Sequence, residues 1–288
     1  MTSQAPMPPA EAAPSLGTRA SADDEPAPAA ARRVLVTGAA RRLGREIALA
    51  LARAGWDVAV HHGESVQAAR DTVADIQALG RRAVALQADL ADPQQTAALF
   101  DAASAALGPL DALVNNASRF EPDRPESFEY AGLHRHLDPN LAAPLLLARR
   151  LHEARCALPA SAPAGVVINL LDQKLENLNP DFLSYTLTKA ALASATTMLA
   201  MAFAPRLRVV SVSPGITLVS GDQTAEGFAQ AHRMTPLGRS STPADIAAAV
   251  VFLADAPAIT GINLTVDGGQ HLAASPRDVM YLTGNPAP

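Results

Sequence analysis

Val34-Leu35-Val36-Thr37-Gly38-Ala39-Ala40-Arg41-Arg42-Leu43-Gly44, followed by a stretch whose apolar face carries Ile47, Leu49 and Leu51, is the segment that decides the fold. An apolar run, a turn with two glycines and a helix-period segment stand in the order strand, tight turn, helix. Gly38 lets the chain turn, and Gly44 lets the helix sit close to the strand. The first N–H groups of that helix, and its dipole, then face an anion such as a pyrophosphate. Two glycines in a turn say little alone; the surrounding chain supplies the context.

Outward from this segment, short apolar runs alternate with Ala/Leu-rich stretches of helical period: Arg45 to Ala54, Val58 to Val60, then Val66 to Leu79. Further strand-like runs follow at Ala83–Gln87, Leu110–Val114, Val166–Leu171, Val209–Val212 and Ile262–Val266. Seven buried strands with crossover helices predict an α/β fold, a doubly wound parallel sheet of Rossmann type in one domain over residues 32–274. Residues 1–31 are rich in Ala and Pro and poor in large aliphatic side chains, so they read as a disordered tail. A transit peptide is the competing reading, opposed by Glu11, Asp23, Asp24 and Glu25. Residues 275–288, with Pro276, Gly284, Pro286 and Pro288, read as an irregular C-terminal tail, free or docked on a neighbouring subunit.

The net charge of −5 over 288 residues gives no general attraction to nucleic acid or an anionic membrane, which points to a small-molecule partner. No apolar run approaches membrane-spanning length. The single cysteine, Cys156, is expected as a packing residue, and a reducing cytoplasm is the expected compartment. No Cys/His spacing suggests a metal.

The second strand ends Val60-His61-His62-Gly63-Glu64-Ser65. An acid at such a tip binds ribose hydroxyls and repels a 2′-phosphate; histidines and a serine there favour NADPH. Arg41 and Ser65 are the expected phosphate contacts with His61 or His62 assisting, although Glu64 puts negative charge nearby. The plain reading of the histidines is surface polarity. Arg42 has two readings as well, a guanidinium pointing into the cleft or a solvated charge near a helix start.

After the fifth strand come Asp172 and then Tyr185-Thr186-Leu187-Thr188-Lys189. Tyr185 and Lys189 are four apart, so on a helix they share a face. An ammonium close to the phenol is expected to favour its phenolate and bring proton transfer nearer neutral pH. Asn115-Asn116-Ala117-Ser118 follows the fourth strand, Asn140 lies in the next helix, and Pro214-Gly215 follows the sixth strand. In this order and spacing the motifs resemble the short-chain dehydrogenase/reductase family from about residue 32 to 272.

The resemblance implies roles residue by residue. Asp89 and Leu90 would meet the adenine, Asn116 would organise the central strands beside the cofactor, and Asn140 would be the proton-relay asparagine. Tyr185 would be the acid, and Lys189 would hold the nicotinamide ribose. Pro214, Gly215 and Thr217 would position the nicotinamide, and Val266-Asp267-Gly268-Gly269 matches the family's usual ending. Asn116 and Asp267 could equally serve only to tie loops together. Most members of the family place serine thirteen residues before the tyrosine, where this chain has Asp172. A carboxylate repels a forming alkoxide, whereas a carboxyl group relays a proton to a ring nitrogen.

Arg42, Asn116-Ala117-Ser118 with Phe120 two residues on, and Asp172 together resemble the pteridine reductase branch, including dihydromonapterin reductases. By that resemblance Phe120 would stack on a pterin, Arg42 and Ser118 would contact the pterin or the cofactor phosphates, and Asp172 with Tyr185 would supply the proton. Phe120 has a second reading as a loop hydrophobe covering the sheet edge. Leu218 to Ser240 is the expected substrate lid, with Gly221 and Gly227 allowing movement. The expected activity is NADPH-dependent reduction of a dihydropterin, and of dihydrofolate as a second substrate, by a homotetramer. The alternatives are a carbonyl or 3-oxoacyl reductase and a non-catalytic NADPH-binding regulatory protein. Lys174 and Glu176 belong to no motif.

Overall fold

The computed structural model describes residues 31–219 and 223–283; the N-terminal tail expected from composition and the end of the C-terminal one lie outside them. Seven parallel strands form one sheet in the order β3-β2-β1-β4-β5-β6-β7. They are β1 Arg32–Val36, β2 Trp56–His62, β3 Ala83–Gln87, β4 Ala112–Asn115, β5 Gly165–Leu170, β6 Leu207–Pro214 and β7 Asn263–Val266. The helices are α1 Arg42–Arg53, α2 Val66–Ala78, α3 Pro93–Leu107, α4 Tyr130–Leu137, α5 Ala143–Cys156, α6 Leu183–Phe203, α7 Ala225–Arg233 and α8 Pro243–Asp255.

Alternation along each strand divides the core between two faces. Val34 and Val36 of β1, with Val58 and Val60 of β2, pack with α1, α2 and α8; Leu35, Ala59 and Leu113 pack with α3 and α5 on the other side. Register is in phase across the middle, Leu35 lying opposite both Ala59 and Leu113. Strands buried on both faces are the physical reason the sequence shows continuous apolar runs here rather than alternation with polar residues.

Strand order reverses between β1 and β4. The connections leaving these two strands diverge, and open α/β sheets place their ligands in the crevice so formed at the carboxyl ends of the strands. The glycine turn after β1 and the Asn116 loop after β4 both open there. Cys156, expected inside, is exposed at the end of α5 with Sγ 3.4 Å from His152 Nε2; the helix presents Leu147 and Leu151 to the core instead.

Candidate active site

Two connected cavities occupy the crevice. A groove of about 890 Å³ runs over the carboxyl ends of β1, β2 and β3. A second cavity of about 410 Å³ lies over β5 and β6 and shares Arg42, Leu43, Asn116 and Ser118 with the first.

The groove is shaped by the turn after β1. Gly38 has φ +63°, a conformation that costs an L side chain, and a Cβ on Gly44 would lie 2.2 Å from the Gly38 carbonyl oxygen and 2.5 Å from Asn116 Nδ2. Asn116 in turn donates to the carbonyls of Thr37 (2.9 Å) and Gly38 (3.2 Å), and Thr37 Oγ1 accepts the N–H groups of Asn116 and Ala117. Asn116 is therefore a brace of the turn as well as part of the groove.

The helices differ in side-chain capping. Asp92, next to the groove-lining Ala91 and Gln95, caps α3, and Thr242 with Asp245 forms a capping box on α8. At the groove, Arg41 before α1 and Ser65 before α2 make no side-chain cap bond. Two helices of 12 and 13 residues thus leave first-turn amides to an anion bound between them. Arg41, Ser65, Asp89 and Leu90 all line this groove, as do Glu64 and Ala117. Phosphate groups of a dinucleotide fit this donor set.

His61 does other work than expected. It is buried, its Nδ1 accepts the Gly38 N–H at 3.0 Å, and its other ring nitrogen contacts the Ala88 carbonyl at 3.2 Å. With Nδ1 accepting, Nε2 carries the proton and donates. Burial lowers its pKa to about 4, so the ring is neutral and serves as a strut between the ends of β1, β2 and β3 rather than as a cation on a phosphate. His62 is also buried, against the Gly63 carbonyl.

In the second cavity, β5 delivers Asp172 and α6 delivers Tyr185 and Lys189. The Tyr185 hydroxyl donates to Asp172 Oδ2 at 2.8 Å, and Asp172 Oδ1 accepts the Lys174 N–H at 2.9 Å. Lys189 Nζ donates to the Leu170 carbonyl at 2.7 Å. Burial raises the Asp172 pKa above its ordinary value against the pull of the Lys174 N–H and the Tyr185 hydroxyl. Burial lowers that of Lys189 to about 8, opposed by the Asp172 charge. The expected depression of Tyr185 is reversed: burial, reinforced by the charge of Asp172, pushes the phenol well above its usual range. Tyr185 is thus held as a proton donor.

Phe120 stands at this site. Its ring stacks on Phe182 at 4.2 Å and makes a T-shaped contact with Tyr185 at 4.7 Å; the residue is 40% exposed and lines the cavity. Phe182, which precedes α6, has φ +56°, a strained conformation held by that packing. Ser118 lines both cavities, and Pro214, Gly215 and Thr217 line the second. Thr217 is fixed by bonds to the Gly215 carbonyl and to Ser241 Oγ, each 2.8 Å.

Asn140 lies in a π-helical turn, Asp138–Ala142, and its side chain is fully employed. Its amide nitrogen donates to the Arg119 carbonyl and to Thr188 Oγ1, and its oxygen accepts from Arg119 N–H and Ser118 Oγ. The side chain enters neither cavity. Through these bonds it positions the Ser118–Phe120 loop on α6.

Arg42 adopts φ +54° and donates to the Val219 carbonyl at 2.8 Å, bridging the glycine turn and the start of the expected lid. Gly221 lies outside the described residues. Gly227 sits within α7, where a Cβ would lie 2.6 Å from the Thr283 carbonyl; it permits close packing of the C-terminal turn, not hinging.

Sequence reasoning missed Gln270, Asp278, Val279 and Met280 in the wall of the second cavity, where Gln223 of the expected lid also stands. The apolar cluster Val279-Met280-Tyr281 inside an otherwise Pro/Gly-rich end was the available signal. Among the described residues no cluster of His, Cys, Asp and Glu could hold a metal, and no helix is long and apolar enough to cross a membrane.

The family described as Enoyl-(Acyl carrier protein) reductase matches residues 38–271. An uncharacterized oxidoreductase of Methylorubrum extorquens is 37% identical over 243 residues, covering 82% of this chain and 96% of the relative. A 3-oxoacyl-[acyl-carrier-protein] reductase FabG of Staphylococcus aureus is 32% identical over 83% of this chain and 97% of the relative. Among solved structures, FolM alternative dihydrofolate reductase 1 from Brucella canis, complexed with NADP, superposes with a TM-score of 0.78 at 38% identity, covering 84% of this chain and 95% of that one.

Proposed function

This chain is a short-chain dehydrogenase/reductase, and from that premise we propose that it reduces a dihydropterin to the tetrahydropterin, with dihydrofolate as a second substrate. It is an NADP-dependent oxidoreductase. The observation that carries the pterin reading is the 2.8 Å bond from Tyr185 to a half-buried Asp172 beside Phe120, which lines the same cavity.

The chain's own groups divide the work. Arg41, Ser65 and the uncapped amides of α1 and α2 would hold the phosphates, Asp89 and Leu90 the adenine, and Lys189, Pro214, Gly215 and Thr217 the nicotinamide end. When bound, NADPH supplies the hydride. Burial favours the protonated form of Asp172, and a carboxylic acid can donate to the Tyr185 oxygen while the phenol gives its own proton to a ring nitrogen. One hydride and one proton thus add across a C=N bond. Phe120 offers the flat face on which a bicyclic ring stacks, worth roughly 0.5 to 1.5 kcal/mol beyond area burial.

The likeness to FabG supports a second reading, reduction of a 3-oxoacyl thioester. Against it stands Asp172 itself, in the place where the family resemblance implies serine. The intact Tyr185 and Lys189 speak against a purely regulatory NADPH-binding protein. Purified protein with NADPH is to be assayed against dihydropterins, dihydrofolate, simple ketones and 3-oxoacyl thioesters. Dihydropterin turnover is expected; turnover of ketones or thioesters alone defeats the proposal. A cytoplasmic homotetramer is the expected assembly, and light scattering that shows only monomer would reject it.

A further inference from the structure

Composition sets the C-terminal segment aside as a tail, yet its residues 275–283 turn back over the second cavity. Two buried groups hold it. Asp181, 1% exposed, accepts Arg277 Nε at 2.7 Å and the Asp278 N–H at 2.8 Å. Lys174, 4% exposed, donates to the Asp181 carbonyl at 2.6 Å and to Asp278 Oδ2 at 3.2 Å. These anchors absorb the lysine that no motif explained.

The arrangement aims Asp278 at the reacting region. Its Oδ1 accepts the Met280 N–H at 3.1 Å, which caps the turn Val279–Tyr281 and buries Met280 against Phe182 and Tyr185. Asp278 lines the same cavity as Asp172, Tyr185 and Phe120, and its side chain keeps 21% of its surface open. Its charge reaches the catalytic pair, raising the proton affinity of both Asp172 and Tyr185. Each carboxylate oxygen has two acceptor sites, and the internal bonds described use one on each.

We infer that Asp278 is a specificity-determining residue whose carboxylate receives the N–H donors of an amino-substituted, amidine-like edge of the substrate ring and rejects rings presenting a carbonyl there. The inference rests on the heterocycle reading of the preceding section. A carboxylate accepts hydrogen bonds and cannot donate them, so a carbonyl placed against it meets repulsion with no compensating bond. The two acids then have separate tasks: Asp172 relays a proton with Tyr185, and Asp278 reads which edge of the ring enters.

The test is calorimetric binding of pterin (2-amino-4-oxopteridine) and lumazine (2,4-dioxopteridine) to the full-length protein loaded with NADP+, wild type and variants. Wild type is expected to prefer pterin by at least about tenfold, and Asp278→Asn, which offers an NH2 as well as an oxygen, to reduce the preference below about threefold. Asp278→Glu is expected to retain it. NADP+ affinity should be the same in all three, since none of the residues assigned to the cofactor belongs to this segment or bonds to the Asp278 side chain. Equal affinity of wild type for the two pteridines, or an unchanged preference in Asp278→Asn, overturns the assignment while leaving the pterin reading intact. Loss of preference in Asp278→Glu as well reduces Asp278 to an anchor. Binding of neither pteridine by loaded wild type removes the heterocycle reading and this inference with it.

Discussion

Asp172 and Lys189 line one cavity, and desolvation pushes both toward their neutral forms, the acid upward and the amine downward to about 8. That shared trend is what suits the site to handing over a proton. For Asp172 the consequence extends to stability. A carboxyl whose folded pKa exceeds its unfolded value binds its proton more tightly in the native state, so its contribution falls as pH rises through that interval and is a net cost above it. Asp172→Asn is accordingly expected to raise the melting temperature, relative to wild type, more at neutral pH than below 3.8, the ordinary aspartate value. An equal difference at both pH values would show that burial is not what governs this group. For catalysis, Asp172→Ser should lower kcat/KM for a dihydropterin at least about tenfold, roughly 1.4 kcal/mol of barrier. Unchanged turnover would remove the carboxyl from the proton path.

At the level of elements, α8 carries a side-chain cap and α2 does not. The capping box of Thr242 on α8 serves the fold alone, and Thr242→Ala is expected to cost about 1 kcal/mol of stability without touching cofactor affinity. Ser65 before α2 makes no cap bond, so Ser65→Ala should leave the melting temperature nearly unchanged while weakening NADPH more than NADH. Equal loss for both cofactors would deny Ser65 a phosphate. All seven strands, and the turn after β1, were legible in the sequence because buried parallel strands are apolar runs and a phosphate turn has few solutions. The Tyr185–Lys189 pair was legible from helical spacing. What stayed hidden depends on distant partners. The role of His61 is fixed by Gly38 and Ala88, 23 and 27 residues away, and that of Asn140 by Thr188, 48 away. The link of Asp181 to Asp278 spans 97 residues, and no local pattern announces it.

Across the whole molecule, the two cavities draw on different parts of the chain. Every residue lining the groove lies between Gly38 and Pro139, whereas the second cavity takes its far wall from residues 170–280. Removing residues 275–288 should therefore spare one and open the other. The chain can bear the loss. Met280 gives up roughly 1.5 to 3 kcal/mol of burial. Lys174 and Asp181 lose their partners Asp278 and Arg277 but regain water at the same moment, so the 3 to 5 kcal/mol cost of an uncompensated buried charge does not apply in full. Against a typical total of about 5 to 15 kcal/mol, the shortened chain is expected to fold with a lowered melting temperature. It should still bind NADPH through the phosphate and adenine contacts of the intact groove, read by nicotinamide fluorescence, while KM for a dihydropterin rises at least about tenfold as the wall carrying Asp278 and Met280 is lost. Native KM in the shortened chain would mean that the segment only covers the site, and joint loss of NADPH binding would mean that the cavities are not independent.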